Sequence, residues 1–165
     1  MPLPRIALTM GDPAGVGPEI CLRALAESSL AEVCLPVVFG DAAVLTRCAA
    51  QTGLPAPRLV LDETAWRGAL LSLDRPAVLD LKLLDADQLT PGLTDAITGE
   101  ASFRCIQRAI DAALAGEVAA VSTGPINKQA IHAAGHDFPG HTEMFAARTQ
   151  ALRSCMMQFS PEITC

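Results

Sequence analysis

The residues best suited to chemistry lie in two neighbouring clusters, Ser122-Thr123-Gly124-Pro125-Ile126-Asn127-Lys128 and Pro139-Gly140-His141-Thr142-Glu143. They offer an ammonium group, hydroxyls, an imidazole and a carboxylate where strand-like or loop segments hand over to helices. Gly124 permits a close backbone approach. Lys128 falls in the first turn of the following helix, where a positive charge opposes the dipole. That position suits a contact to a phosphate or carboxylate, and a solvated lysine is the plain alternative. His141 starts the next helix, whose positive end disfavours imidazolium, so the ring stays neutral. A neutral imidazole donates one hydrogen bond and accepts another. Thr142 can hold a ligand oxygen or cap the helix, and Glu143 complements the dipole. A capping cluster without a ligand is the competing reading.

A third cluster, Gly11-Asp12-Pro13-Ala14-Gly15-Val16-Gly17-Pro18-Glu19, follows a strand and opens a helix. Backbone N–H groups there can face an anion. The spacing is neither the dinucleotide fingerprint G-x-G-x-x-G nor a P-loop, since no G-K-[ST] follows. A tight turn with no ligand explains it equally well.

His132 and His136 lie close to His141, which invites a metal reading. Gly135 ends the helix between His132 and His136, and no second carboxylate cluster completes a set, so no metal site is expected from these three. No G-x-S-x-G elbow is present. The cysteines form no C-x-x-C pair.

These clusters need a frame of strands and helices. Residues 6–10, 37–40, 58–61, 77–81 and 118–121 read as strands, and 155–159 as a last one. Helices are expected over 18–26, 41–50 with Asp41 as cap, and 100–115. They also follow the T-G-P-I-N-K turn, with Pro125 presetting the start, to about Ala134 and run from His141 to about Thr149. Residues 62–74 fit neither pattern, and 85–98 read as a loop with Thr90-Pro91-Gly92 as its turn. Strands alternating with helices imply βαβ units, hence an α/β fold with a mainly parallel sheet and flanking helices.

The chain of 165 residues suits one domain, and half of it is apolar, which excludes disorder. A formal charge of −6 excludes a nucleic-acid backbone binder. The apolar runs are too short to span a bilayer, so no membrane partner is expected. No secretory signal opens the chain. The six cysteines are expected to be reduced in a cytoplasmic protein.

Three motifs together, G-D-P-A-G-V-G-P-E, T-G-P-I-N-K and A-G-x-x-F-P-G-H-T-E, resemble those of the 4-hydroxythreonine-4-phosphate dehydrogenase family of vitamin B6 biosynthesis. Gly99-Glu100-Ala101-Ser102 and Met156-Met157 also fit. The resemblance implies a fold similar to that of isocitrate and isopropylmalate dehydrogenases. It implies NAD-dependent oxidation of 4-phosphohydroxy-L-threonine followed by decarboxylation, with a divalent metal ion (zinc, magnesium or cobalt), in a homodimer. His141 and Thr142 match the family's substrate-binding pair, while Asp12 and Lys128 lie in matching motifs with roles left open. No catalytic or cofactor-binding residue is assigned. The family's metal histidines belong to segments, T-T-H, N-P-H and Y-H-D, that do not occur here, so the metal ligands would lie beyond residue 165. Residues 1–165 are therefore expected to be the N-terminal portion of such a dehydrogenase, incomplete in fold and inactive alone. A paralogue acting on a phosphorylated four-carbon sugar acid, and a non-catalytic anion-binding module, are the alternatives.

Overall fold

A computed structural model describes residues 3–162. Five strands, β1 (Arg5–Thr9), β2 (Leu35–Gly40), β3 (Val60–Leu61), β4 (Ala77–Asp80) and β5 (Ala120–Thr123), form one sheet in the order β3-β4-β2-β1-β5. Every neighbouring pair is parallel. Six α-helices accompany them: α1 (Gly17–Ala26), α2 (Ala42–Thr52), α3 (Glu63–Ala69), α4 (Ala96–Leu114), α5 (Lys128–Ala133) and α6 (His141–Thr149). The α/β parallel architecture is the one expected from the alternation of elements.

The central strand β2 is buried along its whole length, as a strand covered on both faces must be. Val38 and Val78 turn to one face and pack with Cys21, Leu22, Val44 and Leu45 of α1 and α2. Val37, Phe39 and Leu79 turn to the other and pack with Trp66 of α3 and Ala109 and Ala112 of α4. The side-chain period of two thus divides one sheet between two helical layers.

Asp41 caps α2 as expected, accepting from the Ala43 and Val44 amides. Its second oxygen accepts from the Leu83 and Leu84 amides, fixing the chain beyond β4. The carboxylate is 2% exposed, so these backbone donors replace the water it has lost.

The structure corrects the sequence reading at several places. The segment 62–74 contains α3, capped by Asp62 through the Ala65 amide. Helix α4 begins at Ala96, because Asp95 caps it through the Thr98 amide. The expected loop over 85–98 is shortened accordingly and contains a 3-10 turn at Ala86–Gln88. The last sheet strand lies at 120–123, not 118–121, so Ser122 and Thr123 belong to β5. Asn127, not Pro125, sets the start of α5. Residues 155–159 form no strand beyond a single bridge residue at Phe159. Met156, Met157 and Phe159 are 72%, 69% and 73% exposed, so this apolar stretch lacks the flanking ladder and packing that make a strand.

Strand register decides where the chemistry gathers. Thr9 at the end of β1 pairs with Phe39 of β2 and with Thr123 of β5, so the turns after β1 and β5 leave the sheet at one level. The chain after β1 enters α1 on one face, and the chain after β5 enters α5, which packs against α4 on the other. Such a divergence opens a crevice beyond the carboxyl ends of the strands.

Candidate functional site

The two turns at this crevice are joined backbone to backbone. The Gly124 amide donates to the Thr9 carbonyl (3.0 Å) and to Thr9 Oγ1 (3.2 Å). The Asp12 amide donates to the Pro125 carbonyl at 2.9 Å. A Cβ on Gly124 would sit 2.5 Å from the Thr9 carbonyl oxygen, so only glycine fits there. Gly11, at φ +73, would likewise drive a Cβ into the Pro125 carbonyl. These glycines are spent on packing one turn against the other.

Asp12, 9% exposed, accepts from the Ala14 amide through Oδ1 at 3.0 Å. Its carboxyl therefore stabilises its own turn. Burial raises its pKa above the ordinary carboxylate value; the Ala14 hydrogen bond opposes this and the charge of Asp95 adds to it. Asp12 lines a cleft of about 350 Å³ with Gly15, Val16, Pro125, Asn127 and Lys128. A larger groove of about 620 Å³ includes Leu22, Leu25, Pro55, Pro57 and Leu59 in its lining, but none of the candidate residues.

Asn127 caps α5, accepting from the Ala130 amide at 3.1 Å, and its Nδ2 donates to Thr94 Oγ1 at 2.8 Å. Gly92 N–H reaches the Ala14 carbonyl at 2.7 Å, so the segment before α4 folds over both turns. Lys128 is the first residue of α5; it is exposed and makes no ion pair among the described residues. Its side chain extends towards Gly140: a Cβ built there would lie 4.0 Å from Lys128 Cε and 3.6 Å from Glu143 Oε2.

His141 starts α6, with Gly140 as N-cap. Thr142, half-buried, sits in the first turn and does not cap the helix. The Nε2 atom of His141 is buried and has no hydrogen-bond partner among the described residues. Burial lowers the pKa of the ring below the ordinary imidazole value, and the Lys128 charge lowers it further. The ring is neutral at pH 7 and offers an unmet donor or acceptor, which costs free energy unless something satisfies it.

Lys128 thus links the two clusters, since it lines the cleft with Asp12 and polarises His141. His132 and His136 do not join them. His132 Nε2 lies 3.1 Å from the Phe138 carbonyl, and His136 Nε2 lies 2.6 Å from Glu100 Oε2. Sequence reasoning missed Asn127 and Thr94 as supports of the lysine. The Asn at the residue before a helix was a usable signal; the Thr94 contact, made across the fold, had none.

The fold and cleft define an α/β protein with a charged crevice at the carboxyl edge of a parallel sheet. The family model described as pyridoxal phosphate biosynthetic protein PdxA matches residues 32–165, and the chain belongs to that family. It is 39% identical over 159 residues to D-threonate 4-phosphate dehydrogenase of Pectobacterium atrosepticum, covering 96% of this chain and 48% of that enzyme. It is 40% identical over 145 residues to 4-hydroxythreonine-4-phosphate dehydrogenase of Trichlorobacter lovleyi, covering 88% and 43%. The crystal structure of a 4-hydroxythreonine-4-phosphate dehydrogenase from Burkholderia phymatum superposes with a TM-score of 0.84 at 37% identity, over 98% of this chain and 48% of that one. The chain spans about half the length of these relatives.

Proposed function

We propose that residues 1–165 are the substrate-holding N-terminal portion of a dehydrogenase for a phosphorylated four-carbon hydroxy acid or hydroxy amino acid. The observation that carries this reading is the buried, unpartnered Nε2 of His141 beside the unpaired ammonium of Lys128. That pairing suits an oxyanion: Lys128 supplies charge and the neutral imidazole supplies a hydrogen bond of fixed direction. Thr142 adds a hydroxyl on the same helical turn. Asp12 shapes the wall of the cleft through the turn it closes.

The proposed working protein is a cytoplasmic homodimer using NAD and a divalent metal ion. Such a metal, when bound, polarises the substrate hydroxyl and the carbonyl formed from it. Among the described residues no three His, Cys, Asp or Glu groups gather as metal ligands. These residues therefore do not make a metal centre, and their contribution is binding and placement. Among the described residues no helix is long and apolar enough to cross a membrane. Five cysteines are free, and burial pushes the Cys21 thiol up to about 12; Cys165 lies outside the described residues.

Calorimetric titration with 4-phosphohydroxy-L-threonine and with D-threonate 4-phosphate tests the reading. The D-threonate compound stays in view because relatives named for it share 39% of aligned residues with this chain. Both phosphorylated ligands are expected to bind more tightly than their dephosphorylated forms. Equal affinity with and without the phosphate contradicts the proposal. Alone, the 165 residues are expected not to reduce NAD with either compound when divalent metal is added, and turnover above a blank contradicts that.

A further inference from the structure

The segment between α5 and α6 ends at Gly140 and so determines where His141 begins its helix. It contains no regular structure but is held from several directions. Gly135 N–H bonds the His132 carbonyl at 2.9 Å, and His136 N–H bonds the Ile131 carbonyl at 3.1 Å. The His136 ring stacks on Phe103 of α4 with centroids 3.6 Å apart and planes at 16°. Its Nε2 meets Glu100 Oε2, one turn earlier on α4, at 2.6 Å. Phe138 stacks on the same Phe103 at 5.8 Å, and its carbonyl accepts from His132 Nε2 at 3.1 Å. The platform beneath is rigid: at Gly99 of α4 a Cβ would strike the Ala130 carbonyl of α5. Ile106, Ile131 and Met144 of α4, α5 and α6 share one apolar cluster, with Phe103 and Phe138 packed on it.

We infer that His136, acting with Glu100, is a positioning residue that fixes Gly140 and His141 against Lys128, beside the proposed substrate cleft. The inference rests on the proposed role of His141. A flat ring is needed to stack on Phe103, and an N–H at its edge is needed to reach the carboxylate. Histidine supplies both: as the Nε2–H tautomer it donates to Glu100, and the contact is charge-assisted. The side chains of His136 and Glu100 are 25% and 45% exposed, so the pair is partly shielded. The other charges nearby are Arg104, 3.8 Å from Glu100, and Asp137, 3.9 Å from His132. Neither His132 nor Asp137 competes for the Glu100 oxygen that His136 engages.

The test uses the three histidines of the chain, whose ring resonances are followed by NMR against pH. His136→Ala and Glu100→Ala are each expected to move the His141 midpoint upward, towards that of a solvated imidazole. Each is also expected to weaken binding of 4-phosphohydroxy-L-threonine about fivefold to tenfold, a loss typical of a displaced contact. The double variant is expected to lose no more than either single one. Glu100→Gln keeps an acceptor and is expected to restore the wild-type midpoint. A lowered melting temperature with an unmoved His141 midpoint overturns the inference, because it shows a structural role only. Additive losses in the double variant overturn it as well. Should His136→Ala fail to fold, the half-exposed Glu100→Ala decides alone by the same criterion. If the wild-type chain does not bind the phosphorylated ligand, the proposed function fails while the His141 titration still decides the positioning role.

Discussion

The turn after β1 and the start of α6 each set an ionisable group near Lys128, yet they end in opposite states. Asp12 is buried and accepts from the Ala14 amide of its own turn through Oδ1. His141 is partly buried and left with an unsatisfied ring nitrogen. Burial disfavours charge at both, raising the carboxyl and lowering the imidazole. One turn has closed on itself, and the other has kept a hydrogen bond in reserve. A glycine-rich sequence therefore marks the scaffold here, and the less conspicuous Gly-His-Thr is the end proposed to face the ligand. The lesson is that a polar group's remaining capacity, not its presence, distinguishes a site from a turn.

The largest effect should come from breaking the backbone contact that joins the turn after β1 to the turn after β5. Gly124→Ala places a Cβ 2.5 Å from the Thr9 carbonyl oxygen. Forcing that contact is expected to cost about 1–3 kcal/mol or more, measured by urea unfolding. Next is Lys128→Met, which removes the charge facing His141. Affinity for the phosphorylated ligand is expected to fall about tenfold to a hundredfold, as for loss of a charge-assisted hydrogen bond. The same variant should raise the His141 midpoint, and an unchanged midpoint would separate the two clusters.

A smaller effect follows from linkage. The folded-state pKa of His141 lies below its unfolded value of about 6.5. As pH falls through that value the unfolded chain takes up the proton first, so stability falls with pH until the folded ring protonates. Well above pH 7 the ring is neutral in both states and this contribution vanishes. His141→Gln should flatten the acid-side slope in unfolding experiments across that window. The smallest effect is expected from Asp12→Asn. The amide oxygen can still accept from Ala14, and the raised carboxyl pKa means the charge is no asset to the fold. Stability at pH 7 should change by no more than about 0.5–1 kcal/mol, with the His141 midpoint unmoved. A large loss in binding with Asp12→Asn would give the β1 turn a ligand role and blur the contrast.

Much of this arrangement was legible in the residues. Alternating strands and helices indicated the parallel sheet, and Asp41 announced α2. The His141 start of α6 was placed where the structure has it. The misplaced elements share a cause. Phe103, Ile106 and Ile110 carry the apolar period of α4, so its first turn, Ala96-Ile97-Thr98-Gly99, set by the Asp95 cap, was read largely as loop. Cys155-Met156-Met157-Gln158-Phe159 has strand composition, but composition cannot supply the neighbouring ladder. At the site, the types and spacing of Lys128 and His141 pointed to their convergence. The stacking of His136 on Phe103 and the Asn127–Thr94 contact join segments far apart in sequence, and no local pattern announces them.

The most direct measurement is the affinity of 4-phosphohydroxy-L-threonine for wild-type and His141→Ala chains, with melting temperatures taken on the same preparations. A loss of about tenfold to a hundredfold in affinity, with little change in melting temperature, is expected if His141 Nε2 is held for the ligand. Unchanged affinity with a lowered melting temperature would contradict it and make the imidazole part of the helix start alone.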